Sequence, residues 1–120
     1  MINEYKFGSI TIDGKTYNHD VEVRWTGEVL KWWRKEGHVF DVEDVERTVK
    51  QNPETIILGT GAYGLCEVTE ECQNFLKEKG ISLIIDKTEE AVKTFNIILE
   101  ESKPEGERQN KVIGLFHLTC

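Results

Sequence analysis

Ile56-Ile57-Leu58-Gly59-Thr60-Gly61-Ala62-Tyr63-Gly64 is an apolar run that breaks into a glycine loop, and its reading decides the fold. Three consecutive large aliphatics are too few for a helix face and suit a strand buried on both sides. The glycines then turn the chain. Downstream, Val68, Cys72, Phe75 and Leu76 repeat at helical spacing, with Thr69 as the cap, Glu70 and Glu71 in the first turn and Gly80 as the stop. A second apolar run, Ile81 to Ile85, again reads as a strand buried on both faces. Ala91, Val92, Phe95, Ile98 and Leu99 form another helical stripe, capped from Asp86 or Thr88, and Val112 to Leu118 is the last strand. The second half of the chain is therefore a β-α-β-α-β run.

Upstream of it, Val42, Val45 and Val49 mark a helix with Asp41 as N-cap and Asn52-Pro53 as its end. The first third reads as a β-meander. Ile10-Thr11-Ile12 meets Asp13-Gly14, a type I′ hairpin signal, and Lys15-Thr16-Tyr17 returns. Val21, Val23 and Trp25 alternate with Glu22 and Arg24, Thr26-Gly27 turns, and Val29 to Lys35 is expected to be one further strand before Gly37. Residues 102–110 read as a polar loop within one domain spanning 1–120.

Composition limits the function. Hydrophobic residues at 38 % and charged residues at 31 % describe a globular chain. A net charge of −7, spread along the sequence, disfavours a nucleic-acid partner, which requires a concentrated basic surface. The densest basic stretch, Lys31-Trp32-Trp33-Arg34-Lys35, is flanked by Glu28 and Glu36. Neither a signal peptide nor a membrane span is visible, and the cysteines (Cys66, Cys72, Cys120) lack the spacing of a disulfide framework. The expectation is a cytoplasmic protein with reduced thiols and no membrane partner.

The glycine loop admits three readings. Residues 56–86 match the dinucleotide fingerprint in order: strand, G-x-G-x-x-G, helix, strand and an acid at Asp86. Against it, Leu65-Cys66-Glu67-Val68 delays the helix start, and Glu67, Glu70 and Glu71 would repel a phosphate. The second reading is a nest in which backbone amides of Gly59, Thr60, Gly61 and Gly64 hold a small anion. The third is a tight βα turn whose glycines supply positive φ or close packing. The last two stay open on sequence alone.

Other residues with chemical potential are few. Cys66 follows the loop but has no assignable base, Cys72 belongs to an apolar helix face, and His117-x-x-Cys120 lacks the further ligands a metal needs. No metal and no cofactor are expected. Trp32 and Trp33 are adjacent and cannot both face the core, so one should lie on an outer surface, where Trp33, Arg34 and His38 could line a pocket.

The phrases Trp33-Arg34…Gly37-His38, Gly59-Thr60-Gly61, Leu76-x-x-x-Gly80-Ile81, Thr88-x-x-Ala91-Val92-x-x-Phe95-Asn96 and Gly114-Leu115-Phe116-His117-Leu118-Thr119-Cys120 together resemble the Mth-type family of uncharacterised proteins. Its relatives include the animal adipogenesis-associated Mth-domain protein and a mitochondrial assembly factor for respiratory complex I. The resemblance implies an α/β fold of three layers: a mixed central sheet with helices, plus a small additional β layer from the N-terminal meander. It implies no catalytic residues to carry over. Trp25-Thr26 stand where relatives often have Pro-Gly, and the 102–110 loop is longer.

The leading expectation is a non-enzymatic binding or assembly module, forming a homodimer or capturing a protein partner. The competing one is an enzyme or sensor that holds a small anionic or polar ligand at the glycine loop, near Arg34 and His38.

Overall fold

A five-stranded mixed sheet forms the middle layer of the computed structural model, which describes residues 1–101 and 109–120. In chain order the strands and helices are β1 (Ile2–Lys6), β2 (Ser9–Ile12), β3 (Lys15–Tyr17), β4 (Val21–Arg24), β5 (Val29–Lys31), β6 (Val39–Phe40), α1 (Val42–Val49), β7 (Thr55–Thr60), β8 (Glu67–Val68), α2 (Glu70–Glu78), β9 (Ser82–Asp86), α3 (Thr88–Glu101) and β10 (Val112–His117). The sheet order is β5-β4-β10-β7-β9. Strands β10, β7 and β9 run parallel, and β4 joins β10 antiparallel.

Alternation along the two central strands divides the core. Ile57, Val112 and Phe116 face α3 and the separate β1-β2-β3 sheet. Ile56, Leu58 and Leu115 face α1 and α2. Strand β7 is buried along Ile56–Thr60, as its unbroken apolar run requires. The three-layer arrangement with a small extra β layer therefore stands.

Local signals act where expected. Asp41 caps α1 through a capping box with Asp44, and Thr69 Oγ1 accepts the Cys72 amide at 3.0 Å to open α2. Asp13 (φ 48) and Gly14 (φ 84) both adopt the positive φ of the hairpin turn.

Four expectations need correction. The N-terminal strands are not one meander: the chain leaves the small sheet after Tyr17 and enters the central one at Val21. The strand drawn over Val29 to Lys35 stops at Lys31, because Trp32 turns inward to donate from Nε1 to the Asp44 carbonyl at 2.9 Å and Asp44 Oδ1 takes the Lys35 amide at 3.0 Å. Val68 lies outside the helix and pairs in β8 with Phe40. Finally, β9 is an edge strand paired only with β7: Leu83 and Ile84 pack half-buried against the two core faces, while Ile85 is exposed, so the strand is not buried throughout. Residues 102–108 of the expected polar loop lie outside the described residues.

Candidate functional site

The carboxyl ends of the parallel strands carry the cluster. The antiparallel pairing of Phe116 with Val21 sets His117, at the end of β10, opposite Asp20, just before β4. Asp20 Oδ2 lies 2.7 Å from His117 Nδ1 and 2.9 Å from Arg34 Nη1, and Oδ1 accepts the Leu118 amide at 2.9 Å. Burial alone would raise the Asp20 carboxyl. The hydrogen bonds from His117 and Leu118, with the Arg34 charge, outweigh it and hold the group below the ordinary carboxylate range.

An ionised Oδ2 has no proton to give, so His117 Nδ1 carries one and donates it. In the neutral imidazole, Nε2 is then the acceptor, with Thr119 Oγ1 at 3.4 Å. Arg34 Nη1 lies 2.9 Å from both His117 Nδ1 and Asp20 Oδ2, so its charge pairs with the carboxylate beside the ring.

Two neighbouring aromatic rings, with centroids 4.9 Å apart, pack against Arg34. Its guanidinium carbon is 5.3 Å from the Trp32 ring centroid and 5.3 Å from that of Phe40. The side chain is 9 % exposed, and Nε is buried without a partner. A groove of ≈ 400 Å³ opens beside it, bounded by Lys31, Trp33, Arg34 and His117, with His19, Asp20, Trp32 and Thr119 completing it. Trp32 is 4 % exposed and Trp33 70 %, with Lys31 Nζ 4.4 Å from the Trp33 ring centroid. The adjacent tryptophans thus divide between core and surface.

The glycine loop sits next to this cluster as a packed turn. Gly61 N donates to Thr88 Oγ1 at 2.9 Å, Ala62 N to the Thr119 carbonyl at 2.9 Å, Gly64 N to the Gly61 carbonyl at 3.3 Å and Cys66 N to the Thr60 carbonyl at 3.2 Å. Those amides have internal acceptors. At Gly59 a Cβ would fall 2.9 Å from Thr88 Oγ1, and at Gly61 one would fall 2.7 Å from the Thr119 carbonyl. Thr60 is buried, and its hydroxyl donates to the Asp86 carbonyl at 2.9 Å. Helix α2 begins only at Glu70, after β8, so its N-terminus does not open from the loop as a dinucleotide site requires.

Of the residues singled out in the sequence, Trp33 and Arg34 share the groove. Gly61 abuts its His117 wall, with a Cβ position 3.1 Å from the ring. His38 does not join them: it is exposed, outside the groove lining, and its carbonyl accepts the Glu67 amide at 2.9 Å. Asp20, His19 and Thr119 were not identified from sequence. In the sequence Asp20 is only an acid directly before Val21-x-Val23; its place beside His117 comes from the β4–β10 register. Cys66 is buried, and burial pushes its thiol up although Arg34 partly opposes this, which is unsuited to a nucleophile. Among the described residues, no group of three or more His, Cys, Asp or Glu could hold a metal ion, and no helix is long and apolar enough to cross a membrane.

The model of a family described as protein of unknown function (DUF498/DUF598) matches residues 2–112. The solved structure of MT938 is 30 % identical, with a TM-score of 0.75, covering 100 % of this chain and 98 % of that one. A conserved hypothetical protein from Pyrococcus horikoshii shares the fold at a TM-score of 0.84 and 24 % identity, over 100 % and 99 % of the two chains. A Mth938-like domain protein from Bordetella pertussis shares it at 0.60 and 16 %, over 98 % and 85 %.

Proposed function

This chain belongs to the DUF498/DUF598 family of proteins of unknown function, which is the Mth-type family, and we propose that it is a non-enzymatic binding or assembly module whose binding face is the groove at Trp33 and Arg34. The observation that carries this reading is the orientation of Trp33. An indole at 70 % exposure buries little apolar area on folding, yet it stands at the rim of a groove lined by a nearly buried arginine paired with Asp20. Exposed aromatics beside an arginine are the side chains that most often anchor protein partners. Tyr63 and Phe7, both exposed and with ring centroids 6.4 Å apart, form a second aromatic pair at the glycine loop. Ala62, beside Tyr63, is bonded to Thr119 of the groove.

The partner is a protein, with a second copy of this chain the first to test. Sedimentation over a range of concentrations compares the parent with Trp33→Ala. The parent's mass should rise with concentration and the variant should stay at 13.8 kDa. Equal association by both proteins would remove Trp33 from the account.

A second reading is a small anionic ligand at the same end of the sheet. Because the loop amides of Gly61, Ala62, Gly64 and Cys66 already have acceptors, support for it rests on Arg34. Stabilisation by small acids in a thermal-shift series, with none by nucleotides, is the result expected of it.

A further inference from the structure

Exposed apolar side chains collect where β10 leaves the sheet. Among the described residues seven large hydrophobics are exposed, and four of them, Phe7, Trp33, Tyr63 and Leu65, come from three loops at this end. Gly8, beside Phe7, donates its amide to the Leu118 carbonyl at 2.8 Å. Ala62, beside Tyr63, donates to the Thr119 carbonyl at 2.9 Å. Phe7 and Tyr63 form a tilted pair with ring centroids 6.4 Å apart. Thr119 also lines the groove that Trp33 borders. It is the residue that the ring pair's loop and the Trp33 groove share.

Both halves of an aromatic contact therefore stand on one chain: a single indole at Trp33 and a ring pair at Phe7 and Tyr63. In a two-fold dimer, residue i meets j and j meets i. An axis passing beside Thr119 sets Trp33 of one copy against the ring pair of the other, and does so twice. The three rings are 57 to 70 % exposed, which offers roughly 400 Å² per copy. That is about half of the ~800 Å² each partner gives to a stable interface, with Leu65 and the polar rim available for the remainder. Anchoring residues of an interface also tend to meet anchoring residues of the partner. Charge is no source of attraction, because two copies at −7 repel. The contact has to be apolar.

We infer that this chain forms a two-fold dimer in which Trp33 of each copy packs against the Phe7–Tyr63 pair of the other. This rests on reading the Trp33 groove as the binding face, and it states what Trp33 meets there.

Complementation between two variants tests it, with sedimentation equilibrium over a concentration series as the readout. Trp33→Ala and the double variant Phe7→Ser/Tyr63→Ser each lack both reciprocal contacts, so each alone should associate at least about tenfold more weakly than the parent. Their equimolar mixture should associate more tightly than either alone, since Trp33 of the serine variant meets the intact ring pair of the alanine variant. Added sodium chloride should strengthen the parent's association by screening the repulsion between copies. Association of the serine variant at the parent's strength would overturn the inference. So would a mixture no tighter than its components, or parental association that salt weakens. Far-ultraviolet circular dichroism checks that both variants fold. Should the serine variant not fold, isotope-filtered NOEs in a mixture of labelled and unlabelled parent decide: Trp33 indole protons near Phe7 or Tyr63 of the other copy support the inference, and their absence in the dimer overturns it. If Trp33→Ala weakens association and the serine variant does not, only this inference falls. If Trp33→Ala associates as the parent does, or the parent stays monomeric throughout, the reading of the groove falls with it.

Discussion

Replacing Gly61 by alanine separates a packed turn from an open loop. Gly61 has φ +100 and its added Cβ would lie 2.7 Å from the Thr119 carbonyl and 3.1 Å from His117 Cδ2. Gly14 is the control, with φ +84 and nothing within 4 Å of its Cβ. Both variants bear the cost of a left-handed conformation for an L-residue, about 1–2 kcal/mol. Gly61→Ala must also move the Thr119 backbone. That overpacking costs about 1–3 kcal/mol, and loss of the 2.9 Å Ala62–Thr119 hydrogen bond adds about 1 kcal/mol. The expected gap between the variants is therefore about 2–4 kcal/mol, a substantial part of a stability of about 5–15 kcal/mol. In urea, with a slope of about 1.5 kcal/mol per molar, the G61A midpoint should fall roughly 2 M below that of G14A. The transition is followed by far-ultraviolet circular dichroism and tryptophan fluorescence. Equal midpoints for G61A and G14A would refute the claim that the loop is a turn closed against Thr119.

The two tryptophans should respond oppositely. Trp32→Phe removes the buried donor to the Asp44 carbonyl and should cost about 1–3 kcal/mol, whereas Trp33→Ala should unfold at nearly the parent's denaturant midpoint. Glu22→Ala should cost about 3 kcal/mol or more by urea titration, because the fully buried carboxylate takes Arg24 Nε at 2.7 Å, Arg47 Nε at 3.0 Å and Thr48 Oγ1 at 3.0 Å. Acid stability should depend on Asp20. Its folded pKa lies below the ordinary value of 3.8, so its contribution is complete above that pH and disappears as pH falls through the folded value. Asp20→Asn should flatten the stability–pH curve in that window, measured by urea midpoints at successive pH values. Thiol labelling at pH 8 should modify exposed Cys120 quickly and buried Cys66 and Cys72 only on unfolding, since burial pushes the Cys72 thiol up to about 11.

Much of the fold was legible because its signals are local. Asp41 and Thr69 mark helix starts by the side-chain oxygen they offer, and Asp13-Gly14 marks a hairpin by its positive φ. The uninterrupted Ile56-Ile57-Leu58 reflects burial from both sides. Elements held by distant partners were not legible. Strand β1 has only Ile2 buried and is fixed by β2 and by Asn96, whose Oδ1 accepts the Ile2 amide at 2.9 Å. Strands β6 and β8 are two residues each and exist because separated loops meet. The site divides in the same way. A Trp-Trp-Arg run in an acidic chain is visible, but the meeting of Asp20 with His117 depends on a strand register that sequence spacing does not contain.

The central claim is that recognition happens at the groove of Trp33 and Arg34. Backbone and indole ¹H–¹⁵N shifts, compared between dilute and concentrated protein and repeated with Trp33→Ala, test it most directly. The shifts should cluster at Lys31, Trp33, Thr119 and Tyr63 and vanish in the variant. Shifts centred on the exposed edge of β9 at Ile85, or on Ile97 of α3, and unchanged in Trp33→Ala, would place the binding face elsewhere and contradict the account.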